Sequence, residues 1–384
     1  MEIKKLGQAF ALSALGFLSA NAYASEHTLY AMSNNPSGNV VSVVKQAQDG
    51  SLSLVASYST GGTGSGVGRS VPPDPLGSQN AILLSQNRRW LYVANPGSNE
   101  ISTFRVQGDS LQLVSITNSG GEYPTSIAQR GNFVYVLNAR NTPNITGFRQ
   151  SFDGGLTQIQ SSTRRLPTIS QSVGTQPHVL DDPSEVLYSP DGRWLVVADK
   201  NLTTSGTIEV FPVGRDGYVG PGSVTTVSND VAPFGYTFDA EGHLLVTEAI
   251  SGAITEYQLN RDGTLTQLSR VLTGQLATCW IETTRNGFAY ATNTRSSTLT
   301  GVRVGPGTSG LTMLNSDGIT AAVGAGTAPV EVRISPDSEY LYTIAAGAGS
   351  IISYRIDRQT GALTRGSEIH LNPGLSGMVG LAVR

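Results

Sequence analysis

Seven times along the chain a six-residue strand-like run recurs, headed in most copies by an aromatic side chain and ending on a small or polar one. The copies are Thr28–Ser33 (TLYAMS), Trp90–Asn95 (WLYVAN), Phe133–Asn138 (FVYVLN), Trp194–Asp199 (WLVVAD), His243–Glu248 (HLLVTE), Phe288–Asn293 (FAYATN) and Tyr340–Ala345 (YLYTIA). A further run follows in the same phase, as in Ile101–Val106, Ile208–Val213, Ile254–Leu259, Leu299–Val304 and Ile351–Ile356. A Gly- or Asp-containing turn and a short last run come next: Asp49-Gly50-Ser51-Leu52, Asp262-Gly263-Thr264-Leu265, Thr360-Gly361-Ala362-Leu363. Val, Ile, Tyr and Leu runs bounded by turn residues read as strands joined by tight connections.

A run also precedes six of the seven anchors: Ala81–Ser85, Ser126–Gln129, Glu185–Ser189, Gly235–Asp239, Trp280–Thr284 and Glu331–Ser335. Four-strand units recurring every 40 to 60 residues predict an all-β, seven-bladed β-propeller, each sheet burying its faces against two neighbours. The first unit lacks its inner strand, and the run Gly377–Arg384 (GMVGLAVR) at the other end can supply it. The ring is therefore expected to close by the C-terminal strand joining the N-terminal blade, which removes open sheet edges. Residues 25–384 read as one such domain. Because antiparallel strands reverse at each turn, the long connectors Tyr58–Gln79, Gln160–Pro183 and Gly214–Pro233 fall on the same face as the ends of the anchor strands. Loops on a rigid scaffold carry function, so the site is expected at the channel mouth on that face.

Residues 1–24 combine Lys4 and Lys5, an apolar run Ala9–Ala20 and the small-residue pattern Ala22-Tyr23-Ala24. This predicts a signal peptide cleaved after Ala24 and a secreted or periplasmic protein, the run being too short to span a bilayer. A formal net charge of −3 and the absence of Lys/Arg runs argue against nucleic-acid and membrane partners. Cys279 is the only cysteine, so no intramolecular disulfide can form and a buried small hydrophobe is its simplest role. A monomer is expected.

The anchor strands end on Ser33, Asn95, Asn138, Asp199, Glu248, Asn293 and Ala345, a largely polar ring. Asn and Asp serve there as turn caps, whereas Glu248 is not a favoured turn former. Over the whole mature chain, through units such as Ser189-Pro190-Asp191-Gly192-Arg193-Trp194-Leu195 and Asn286-Gly287-Phe288-Ala289-Tyr290, the sequence resembles the lactonase-type seven-bladed propellers, which include 6-phosphogluconolactonase and carboxy-cis,cis-muconate cyclase. Against the motifs of that family, Ala232-Pro233-Phe234-Gly235 lacks the arginine and histidine and Thr247-Glu248 retains the glutamate. Thr292-Asn293-Thr294-Arg295 carries its arginine one place late, and Pro177-His178-Val179-Leu180 keeps one histidine of two.

The resemblance implies hydrolysis, or the reverse cyclisation, of a small sugar-acid or carboxylic-acid lactone. Such chemistry needs a proton-moving group and a cation for the carboxylate or oxyanion. Glu248 is the expected base, Arg295 the anion clamp and His178 a second acid/base, with Asp199, Asn293, Trp280 and Asn138 as substrate-binding residues. No cofactor is expected. A Ca²⁺ ion held in the channel by Asp181, Asp182, Glu185, Glu248 and Glu331 is the less favoured reading, since their spacing is unlike a compact calcium loop. Pairing of Glu331 with Arg333 is favoured. A non-catalytic ligand- or protein-binding propeller is the rival function, with a quinone-dependent dehydrogenase behind it. The stretch Gly61–Gly68 has glycine spacing like a phosphate loop but no helix to follow it, so it reads as a connector lid. His243 and His370 show no chemical company in the sequence.

Overall fold

The computed structural model describes residues 25–66, 74–166, 181–201, 206–227, 231–307, 310–371 and 377–384. Every regular element among them is a strand, and the strands form seven antiparallel sheets. Blades two to seven each run in chain order from the axis outward. Blade five, for example, is Pro233–Phe238, Leu244–Glu248, Ala253–Leu259 and Leu265–Leu272. The innermost strands touch one another in circular order, closing the ring.

Blade one is the composite that the missing inner strand predicts. Its order from outside inward is Leu52–Ser59, Val40–Gln46, His27–Met32 and Leu381–Val383. The closing strand sits in register Leu29 to Val383, Tyr30 to Ala382 and Ala31 to Leu381, and backbone bonds Met32 N to Gly380 O and Arg384 N to Thr28 O extend the ladder. The leader expected at residues 1–24 lies outside the described residues. No helix among the described residues is long and apolar enough to cross a membrane.

Anchor strands are covered on both faces by neighbouring blades and are mostly buried, throughout their length in Trp90–Asn95 and Tyr340–Ala345. Outer strands such as Leu363–His370 are largely exposed. Two features of the repeat tie each blade to the next. The tyrosine two residues into four anchors reaches across the seam: Tyr92 OH donates to Gln150 Oε1 (2.8 Å), Tyr135 OH to Gly217 O (2.7 Å) and Tyr290 OH to Gly361 O (2.8 Å), while Tyr342 OH meets Gln46 Oε1 and closes the last seam onto blade one. The aromatic head of the anchor receives the outer turn of the following blade. Gly361 (φ +76°) sits so close to Phe288 that a methyl group on it would lie 2.7 Å from the ring, and Gly263 (φ +85°) meets Trp194 in the same way. Only glycine offers both the left-handed conformation and the room.

Inner strands of blades three to seven begin with a register shift, at Pro124/Ser126, Pro183/Glu185, Pro233/Tyr236, Thr278/Ile281 and Val330/Val332. Non-glycine residues with positive φ cluster at these starts: Tyr123 (60°), Ala232 (47°), Ala277 (57°) and Glu331 (60°). The bulges release backbone N–H groups from the ladders beside the axis.

Candidate functional site

Those released donors organise the channel. Glu185 Oε2 accepts from Tyr236 N (2.7 Å), and Gln79 Oε1 accepts from Ile281 N (3.0 Å). Gln79 and its neighbour Asn80 end the connector from blade one to blade two, and Asn80 Nδ2 donates to Glu185 Oε1 (2.6 Å). Arg333 is the hub: Nη2 donates to Asn80 Oδ1 (2.6 Å) and lies 3.1 Å from Glu331, Nη1 donates to Glu282 Oε2 (3.2 Å), and Nε to the Leu381 carbonyl of the closing strand (2.7 Å). The expected Glu331–Arg333 pair is present. One guanidinium thus serves Glu282 and Glu331 and is felt by Glu185. Burial pushes Glu331 up to about 7 and raises Glu185 and Glu282, with Arg333 opposing each rise. Glu248 pairs with Arg270 and not with this group, and the Arg333 guanidinium supplies positive charge between Glu282 and Glu331.

On the connector face, Asp74 to Asn80 crosses the mouth. Asp74 Oδ1 accepts from Leu76 N (3.2 Å) and Gly77 N (2.9 Å), an Asx turn that folds the segment inward. Trp280 Nε1 donates to Ser78 O (2.8 Å), Ser78 Oγ to Thr125 O (2.8 Å) and Tyr123 OH to Pro75 O (2.8 Å), so blades three and six grip it. Lys200, fully buried, donates through Nζ to Gly77 O and stands 4.8 Å from the centre of the Phe234 ring. Its charge is opposed by burial and supported by Asp182, Asp74 and Asp199, and the net result lowers its pKa. Burial pushes Asp74 up to about 6 despite Lys200 and the two backbone donors. Arg140 lies 3.2 Å from the centre of the Tyr123 ring, its pKa lowered by burial. Cys279, buried beside this group, has its thiol pushed up to about 12 by burial, which suits packing and not nucleophilic attack. The arrangement places a buried carboxyl group and two cations around one end of the channel.

The anchor-terminal residues do something else. Asn95 Nδ2 donates to Ser102 Oγ (2.7 Å), Asn138 Nδ2 to Asn144 Oδ1 (3.0 Å) and Asn293 Nδ2 to Thr298 and Thr300 (3.0 and 2.8 Å). Glu248 occupies the equivalent place, bonded to Thr255 and Ser251 and gripped by Arg270 through Nε (3.0 Å to Oε1) and Nη2 (2.6 Å to Oε2). These contacts hold its pKa below the usual carboxylate range although burial opposes them. All four side chains clamp the turn into the third strand of their own blade. Arg295 is exposed in the turn between Phe288–Asn293 and Thr298–Val304, Asp199 is buried and adds its charge to the field at Lys200, and Trp280 packs edge-on against Phe234 with ring centres 4.7 Å apart. His178 lies outside the described residues. Gly62 to Gly66, expected to form part of a lid, is tied to blades one and two by Asn39 N to Gly62 O, Gly64 N to Asn35 O and Gly97 N to Thr63 O; Gly68 lies outside the described residues.

The residues that follow the anchors, Asn34, Pro96, Ala139, Lys200, Ala249, Thr294 and Ala346, are all buried, and Lys200 among them reaches the segment that crosses the mouth. Side chains alternate faces along a strand, so counting one residue too early selects the opposite face. A lysine in a column of mostly small residues was the available signal.

The sequence model of the family described as "Lactonase, 7-bladed beta-propeller" matches residues 37–168 and 283–374. An uncharacterized protein of Staphylococcus aureus is 33% identical over 88 residues, which span 22% of this chain and about a quarter (26%) of that relative's length. Among solved structures, a candidate 6-phosphogluconolactonase from Bacteroides fragilis superposes with a TM-score of 0.74 at 18% identity, covering 93% of this chain and 98% of its own. The periplasmic gluconolactonase of Pseudomonas aeruginosa gives 0.72 at 17% identity, covering 94% and 99%. At such identities these likenesses show the fold. Together with the family match over more than half of its length, they establish that the chain belongs to the lactonase family of seven-bladed β-propellers.

Proposed function

We propose that the protein is an exported hydrolase of small sugar-acid or carboxylic-acid lactones, working at the connector-face end of its channel with Asp74 as the base and Lys200 and Arg140 as the anion-holding cations. The observation that carries this reading is the buried Lys200 beside Asp74, a carboxyl pushed up to about 6, in a member of this family. A base whose pKa lies near the working pH is largely ionised yet still basic enough to move a proton.

In this reading Asp74 takes a proton from water as the water oxygen bonds to the lactone carbonyl carbon. Lys200 neutralises the resulting oxyanion, which is where a buried cation has most effect. The tetrahedral centre then collapses, the ring C–O bond breaks, and the leaving alkoxide recovers the proton from Asp74 to give the hydroxy acid. The carboxyl proton passes to solvent, Arg140 holds the resulting carboxylate, and Trp280 with Phe234 forms the apolar wall. The periplasmic location of the Pseudomonas gluconolactonase supports export of this chain as well.

A panel of aldonolactones and simple carboxylic-acid lactones assayed with wild type, Asp74→Asn, Lys200→Met and Glu248→Gln tests this. Turnover that falls at least about 100-fold in the first two variants and survives in the third supports the assignment. The converse pattern returns the roles to Glu248, Arg295 and His178. One observation favours a binding propeller: Phe234 stands where the resembling motif carries arginine. Saturable binding of the hydroxy acid without turnover of any lactone would establish that reading instead.

A further inference from the structure

We propose that Asp239, His243 and Glu256 form a binding site for a divalent transition-metal ion of the Zn²⁺ class, in blade five on the face of the ring opposite the mouth. Asp239 and His243 belong to the turn between Pro233–Phe238 and Leu244–Glu248, and Glu256 lies on the adjoining strand Ala253–Leu259, paired in register with Leu245. His243 Nδ1 is 3.2 Å from Asp239 Oδ2 and 3.2 Å from Glu256 Oε1, and the three ligand atoms lie within 4.8 Å of one another.

Separations of 3.2 Å are those of ligand atoms around one ion. Ligand atoms about 2.0 Å from a tetrahedral Zn²⁺ stand about 3.3 Å apart. His243 Nδ1 and Glu256 Oε1 are both buried, yet neither makes a hydrogen bond of acceptable geometry. A protonated imidazole donates its Nδ1 hydrogen along one line and so can satisfy one carboxylate, whereas an ion at the centre satisfies all three groups. The supporting contacts leave the relevant atoms available. Asp239 Oδ1 accepts from Glu241 N (2.9 Å) and His243 N (2.8 Å), and Glu256 Oε2 accepts from Ser269 Oγ (2.7 Å), which in turn accepts from Leu311 N (3.1 Å). Each carboxylate is thus oriented through one oxygen and presents the other to His243, the pattern of outer contacts that aim metal ligands. Among the described residues no Lys or Arg pairs with either carboxylate. Two carboxylates and an imidazole suit a borderline divalent ion, with water completing the coordination. The site is remote from the mouth chemistry, and its effect is to pin the turn to the third strand.

The test uses tag-free protein of residues 25–384, stripped with a chelator and titrated with Zn²⁺ in a calorimeter, with Co²⁺ as a spectroscopic probe. The expected result is one Zn²⁺ per chain with a dissociation constant of micromolar order or tighter, a melting temperature raised by several degrees, and visible Co²⁺ ligand-field bands. Glu256→Gln and the more accessible Asp239→Asn should each weaken binding at least tenfold, and Glu241→Gln, whose side chain is not a ligand, should leave it unchanged. Should the buried Glu256→Gln variant fail to fold, Asp239→Asn decides. Absence of stoichiometric binding, or binding that Asp239→Asn leaves intact, overturns the proposal.

Discussion

Lys200 is held between the Gly77 carbonyl and the face of Phe234, 4.8 Å from the ring centre, so that a connector from blade one and the inner strand of blade five share one buried cation. Burying an ammonium is costly unless it is paired, and its lowered pKa records that cost. A group kept at a cost to stability marks a place where function outweighs packing.

Replacing Lys200 by Met removes the charge while keeping the length of the side chain. The variant should fold, with a melting temperature within a few degrees of wild type, and lose lactone turnover by about 100-fold or more. Circular dichroism melts beside the lactone assay check both parts.

Asp74 makes stability depend on pH in a direction that can be stated. Its folded pKa of about 6 lies above its ordinary value of 3.8, so the folded state binds more protons between those values and stability falls as pH rises through the window. Asp74→Asn cannot titrate. Its stability relative to wild type should therefore be lowest near pH 4 and rise toward pH 7, by at most about 3 kcal/mol. Denaturant unfolding of both proteins across that range measures the difference, and a variant whose stability relative to wild type falls as pH rises would contradict the burial account.

Gly361→Ala should destabilise the ring although the site is a surface turn. The new methyl would meet Phe288 at 2.7 Å in a backbone conformation of φ +76°, a combination expected to cost about 1–3 kcal/mol. Gly108→Ala serves as the contrast: it shares a positive φ (+61°) but has nothing within 4 Å, so only the backbone part of the cost applies. Thermal unfolding of the pair separates the two terms.

Removing residues 377–384 deletes the Leu381–Val383 ladder and the Leu381 carbonyl that receives Arg333 Nε. It also reopens the edge of His27–Met32. The melting temperature should fall by about 10 °C or more. An unchanged melting temperature would mean that ring closure contributes nothing to stability.

The architecture was readable because the repeat carries its own punctuation. Aromatic heads, a tyrosine two places on and a glycine in the next blade's turn are one packing solution used repeatedly, as Trp194–Gly263 and Phe288–Gly361 show. The closing strand was readable from a deficit, since the first unit lacks an inner strand. The site was only partly legible. Asp74, Gln79 and Asn80 lie in a connector without a period, and no pattern announces that it crosses the axis. Lys200 follows Asp199, a polar strand end that reads as an ordinary turn cap, and nothing local marks the lysine as buried. Glu248 is an unusual turn residue, and Arg270, 22 positions away on the outer strand, explains its presence. His243 showed no partner in the sequence because Glu256 reaches it only through the pairing of adjacent strands.

The most direct test of the mouth assignment is the pH profile of kcat/KM for the best lactone of the panel, measured for wild type and Glu248→Gln. The account predicts a rise with an apparent pKa of about 6 in both proteins, reporting ionisation of Asp74. A profile that is flat from pH 5 to 8, or one whose inflection vanishes in Glu248→Gln, would contradict it.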